Sequence, residues 1–167
     1  MLSASHLDYE LVSRERLLRQ DVQSNLLIAE DLAAAEPDEI VALRQFAATG
    51  GTLVLTGRAL HIPELAAICG VHPLASIKPL TSWRVRLEAD ALDVRLPLIP
   101  CELVAHSGSE VLMEMAGSAD GHPVVVRREI HRGEIIAVAC PVFSLPQPEG
   151  KRTLRSEERR VGKECGT

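Results

Sequence analysis

The sequence predicts an α/β domain with a mainly parallel sheet and a C-terminal β hairpin, and three observations carry that expectation. An apolar run at Asn25-Leu-Leu-Ile-Ala29, an acidic-start helix from Pro37, a Gly50-Gly51 stop and a second apolar run at Thr52-Leu-Val-Leu-Thr56 describe a β-α-β unit. Its crossover is expected to be right-handed and its strands parallel. The chain is 46% hydrophobic but only 2% aromatic, so its core is built from Leu, Val, Ile and Ala. Late in the chain, Val124 to Ile130 and Glu134 to Ala139 flank His131-Arg132-Gly133, a hairpin in which Gly133 is expected to supply a positive φ. A length of 167 residues suits one such domain and not two.

Taken in order, Tyr9 to Val12 and Asn25 to Ala29 are strand-sized, and their continuous apolar character fits buried parallel strands. A turn of helix is expected within Arg14 to Asp21. Pro37 suits a first helical position, and Asp38 and Glu39 put negative charge where the helix dipole favours it. Ile40, Leu43, Phe46 and Ala47 then form one apolar face. Glycine accepts the left-handed conformation that helix ends use, so Gly50-Gly51 stops this helix. A shorter helix is expected over Ile62 to Ile68, closed by Gly70. Beyond Val71 the texture changes to alternation, with Trp83, Val85 and Leu87 between charged residues. Val94 and Leu96, Leu103 and Val104, and Val111 to Met113 predict further short strands.

The net charge of −5 and scattered arginines disfavour an extended phosphate-binding surface, so no nucleic-acid partner is expected. No run approaches the roughly 18 apolar residues of a membrane span, and the first residues lack a signal-peptide pattern. The expected location is cytoplasmic. Cys69, Cys101, Cys140 and Cys165 show no C-x-x-C spacing, and His122 and His131 are not spaced as a metal pair. Neither a metal nor a cofactor is expected, and the cysteines read as buried free thiols. From Arg155 to Cys165 the composition shifts to seven charges in eleven residues with no apolar face. This segment resembles the translation of a common DNA-sequencing adapter, so the domain is expected to span residues 1–154, with 155–167 a non-native or disordered tail.

The order of apolar strand, acidic-start helix, Leu43-Arg44-Gln45-Phe46, Gly50-Gly51-Thr52-Leu53-Val54, Thr56-Gly57 and Leu65-Ala-Ala-Ile-Cys-Gly-Val71 resembles the class I glutamine amidotransferase-like superfamily. Within it, the likeness is to the trimerisation domain of β-galactosidase-type glycoside hydrolases. It extends over roughly Tyr9 to Phe143 and is strongest from Asn25 to Val71. It implies a flavodoxin-like three-layer sandwich, with a first strand and helix missing ahead of Tyr9. It also implies a non-catalytic accessory or oligomerisation role, with self-association or an adjoining catalytic domain as partner.

Working glutamine amidotransferases carry a cysteine on the sharp turn after the strand matching Thr52 to Thr56, where a thiol near a helix N-terminus is activated. This chain has Thr56-Gly57-Arg58-Ala59 there, so no catalytic residue is expected. An alternative function is binding of a sugar or an anion in the crevice at the strand ends, formed by Glu30, Asp31, Gly57, Arg58 and His61. The weakest alternative is a hydrolase acting through Cys69, which lies about a dozen residues beyond the expected turn.

Overall fold

The computed structural model describes residues 10–30, 32–73, 83–87, 90–94, 103–115 and 122–139. Tyr9, Leu96, Cys101, Cys140, Cys165 and the adapter-like tail lie outside this set. The elements in order are α1 (Arg14–Leu18), β1 (Leu26–Glu30), α2 (Pro37–Ala48), β2 (Thr52–Thr56), a 3₁₀ turn (Gly57–His61), α3 (Pro63–Cys69) and β3 (Val71–Pro73). They continue as β4 (Trp83–Leu87), β5 (Asp90–Val94), β6 (Leu103–Ala105), β7 (Glu110–Met115), β8 (His122–Ile130) and β9 (Gly133–Val138).

Seven strands form one sheet in the order β1-β2-β9-β8-β7-β4-β5, while β3 and β6 pair separately. The β-α-β unit forms as expected: β1 runs parallel to β2 in the register Leu27↔Leu53 and Ala29↔Leu55. A second parallel ladder joins β2 to β9, with Leu53↔Ile135 and Leu55↔Ala137. From β9 outward, through β8, β7, β4 and β5, every ladder is antiparallel. The sheet is therefore mixed, and the parallel expectation holds over β1, β2 and β9.

One face of this sheet is the core. Leu53, Leu55, Ile135, Ala137, Val124 and Val126 are buried on it, whereas Val54, Ile136 and Val125 between them are only partly covered. Burial in β2 and β9 thus alternates, as in a sheet whose second face is less covered, and is not continuous as the apolar runs led one to expect. The outermost strand, β1, is half-buried at best, and Leu26 is 49% exposed. Glu10 to Val12 is not a strand, and Leu11 is exposed.

Onto the buried face α2 presents Leu43, Phe46 and Ala47, and α3 presents Leu65, Ala66 and Cys69. The two helices touch each other and both pack on β9. Glu39 accepts the Glu36 backbone N–H at 2.6 Å and so satisfies one free donor at the start of α2. Arg14 of α1 reaches Asp38 at 2.9 Å and Glu39 at 3.0 Å, fastening α1 to the same helix start. These pairs are solvated, so they orient α1 and contribute little stability.

The glycines of the joint and the hairpin do different jobs. Gly50 sits at φ +120 and ends α2 as expected. In the hairpin turn, however, the positive φ belongs to His131, at +53, and Gly133 is not left-handed. Glycine is required at 133 for a different reason. A Cβ there would lie 2.3 Å from the Ala47 carbonyl oxygen and 2.4 Å from that of Gly51. The start of β9 is seated against the backbone of the α2–β2 joint, where Glu134 donates its N–H to the Gly51 carbonyl at 3.2 Å.

This difference has opposite consequences in a denaturant titration. Gly133→Ala is expected to destabilise the domain by about 1–3 kcal/mol, because backbone atoms must move to admit the methyl group. His131→Gly is expected to be neutral or stabilising, because it relieves a left-handed residue that costs about 1–2 kcal/mol. A silent Gly133→Ala would show that β9 is not seated against that backbone.

Candidate functional site

The carboxyl ends of the parallel strands form one edge of the molecule. Glu30 closes β1 opposite Thr56, and Thr56 lies opposite Val138 at the end of β9. Thr56 is fully buried. The chain then reverses at Gly57, whose φ of +56 falls in the region where a Cβ is strained. The following 3₁₀ turn buries Ala59 and Leu60 and leaves Arg58 and His61 exposed. Glu30, Gly57 and Arg58 therefore all lie at the strand ends. Asp31 lies outside the described residues.

His61 is the last residue of that 3₁₀ turn. It lines a cleft of about 460 Å³ on the α3 side of the molecule, and none of Glu30, Gly57 or Arg58 lines that cleft. Helix α3 forms one wall through Pro63, Ala66 and Ala67, and the backbone of Gly70 leads from it into β3. His72 of β3, His106 and Ser107 after β6, and Arg128 of β8 supply the polar lining. Local sequence gave no sign of this group, because its members come from four separated segments. They meet through the antiparallel pairing of β3 with β6 and through the packing of α3 on β8.

The cleft is ordered by the end of α3. Gly70, at φ +67, ends the helix, and a Cβ there would lie 2.2 Å from Ser109 Oγ. The Gly70 carbonyl accepts the His106 backbone N–H at 2.9 Å and the Ser109 hydroxyl at 3.2 Å. Arg128 Nη1 donates to the Ala67 carbonyl at 2.9 Å. A cation placed against the last carbonyls of a helix is favoured by the helix dipole. Among the described residues, no three His, Cys, Asp or Glu side chains converge closely enough to hold a metal ion.

Cys69 is the last residue of α3 and is fully buried in the apolar cluster. Burial pushes its thiol up to about 12, and the attraction of the nearby Arg128 charge offsets only part of that. The thiolate is the reactive form, so burial disfavours reactivity at this thiol. At the turn where the amidotransferase resemblance places a nucleophile, the chain has Gly57 and Arg58.

Among the described residues no helix is long and apolar enough to cross a membrane. No protein-family model and no curated protein matches the sequence. Solved structures do match. The β-galactosidase of Bacillus circulans sp. alkalophilus superimposes on 70% of this chain with a TM-score of 0.61 and 20% identity. Gan42B, a GH42 β-galactosidase from G. stearothermophilus, does so over 70% with a TM-score of 0.58 and 19% identity. The chain spans only 20% and 19% of those two proteins. A cytoplasmic protein of Salmonella typhimurium LT2 matches 83% of this chain and 72% of its own, with a TM-score of 0.61 and 16% identity. At these identities the likeness is one of fold: this chain has the architecture of a segment making up about a fifth of β-galactosidases.

Proposed function

We propose that the chain is a non-catalytic accessory domain of a larger, β-galactosidase-like glycoside hydrolase, in which it supports contacts with other subunits or with an adjoining catalytic domain. The observation that carries this reading is the fold match to a fifth of each β-galactosidase, over 70% of the chain. The chemistry of the strand-end turn supports it. An amidotransferase-type reaction needs an accessible thiolate after β2, and the chain places Gly57 and Arg58 there and buries its nearest thiol in the core.

Two measurements test the proposal. Sequencing the DNA that flanks this reading frame is expected to reveal a glycoside hydrolase catalytic domain; a complete frame without one would remove the association. The inert thiol is tested separately by stability against pH. Cys69 stays protonated in the folded state up to about pH 12, whereas an unfolded cysteine ionises near pH 8.5. Above that pH the unfolded state alone loses the proton, so stability falls progressively between about pH 9 and 12. Cys69→Ala is expected to lower stability at neutral pH through the lost packing and to show a shallower decline above about pH 9. Equal slopes for the two proteins would show that this thiol is not held protonated by burial.

A further inference from the structure

We infer that the cleft between α3 and the β3–β6 pair is a binding site for a small molecule carrying an oxyanion, a phosphate or a carboxylate. This inference is independent of the proposed accessory role. A volume of about 460 Å³ lies within the range of small-ligand sites, which combine apolar walls with a few convergent polar groups. Here the apolar part is Pro63, Ala66 and Val71, and the polar part is His61, His72, His106 and Arg128.

The sign of the lining selects the ligand. No carboxylate lines the cleft among the described residues, although acidic residues outnumber basic ones in the chain as a whole, 23 to 18. Arg128 is held by one hydrogen bond to a backbone carbonyl, and no ion pair neutralises it among the described residues. A guanidinium has five N–H donors in a fixed fork, so this anchor fixes the group while leaving donors that match a phosphate or carboxylate. Imidazole N–H groups and the Ser107 hydroxyl add further donors. A neutral sugar has no use for the positive charge, and a metal ion would be repelled by Arg128.

The experiment is a binding titration of the 167-residue chain, followed by calorimetry or by chemical-shift changes, with inorganic phosphate, glucose 6-phosphate, glucuronate and galactose as probes. At least one anionic probe is expected to bind saturably and galactose to bind far more weakly. A preference for glucose 6-phosphate over glucuronate identifies phosphate as the recognised group, and the reverse preference identifies carboxylate. Arg128→Gln is expected to weaken the bound anion by about tenfold or more, the loss of a charge-assisted hydrogen bond. Because Arg128 also caps α3, the double variant His72→Gln, His106→Gln is the second arm. Both histidines are exposed, so unfolding should be unchanged while binding weakens. Arg58→Gln is expected to leave binding intact. The inference is overturned if no anionic probe saturates, if galactose binds as well as the anions, if both cleft variants bind like the parent, or if Arg58→Gln alone abolishes binding.

Discussion

At the joint between α2 and β2, three stretches of backbone come within contact distance because no side chain separates them. Gly50 turns the chain out of the helix, Gly51 carries it into β2, and Gly133 lets the start of β9 rest against the carbonyls of Ala47 and Gly51. A Cβ on Gly51 would also fall within 3 Å of the Phe46 ring, which fills the space beneath. From this contact the register of β2 with β9 follows: Glu134 donates to Gly51, and its carboxylate accepts the Thr52 hydroxyl at 3.0 Å. That register puts Leu53 beside Ile135 and Leu55 beside Ala137. A shift of one residue would turn these side chains to the other face. The core under α2 and α3 therefore depends on a backbone approach more than on any single side-chain contact.

Much of this was legible in the sequence because the signals were local. A proline followed by two acids, an apolar face at helical spacing and a glycine pair locate α2 without reference to the rest of the chain. Glycines also marked the ends of α2 and α3 and the hairpin. What local pattern could not reveal was what each glycine is for. At Gly133 the need arises from a carbonyl supplied by Ala47, far away in sequence. Likewise, the apolar run of β1 reads as a central strand, yet its neighbours leave it at the sheet's edge, where Leu26 is exposed.

The candidate sites divide in the same way. Glu30 and the Gly57-Arg58 turn were recognisable because parallel strands of a β-α-β unit must end on one side. For His61 the closeness to that turn was recognisable, but its neighbours in the cleft were not. It ends the 3₁₀ turn and lines the same cleft as His72, His106 and Arg128. Those three carry no motif. Arg128 lies in a strand of mixed apolar and charged residues, and only the packing of α3 on β8 shows that it faces the end of a helix.

The hydrogen bond between Thr52 and Glu134 joins residues 82 positions apart. Until β9 is in place, β2 can complete only one of its two ladders, the one to β1, and Leu53 and Leu55 have half of their sheet neighbours. Closing so long a loop is slow relative to forming the local β1-α2-β2 unit, since contacts of high sequence separation are reached late. On the ribosome this means that the N-terminal part of the domain emerges with β2 paired on one side only. It must wait for β9 before the second ladder of β2 can form.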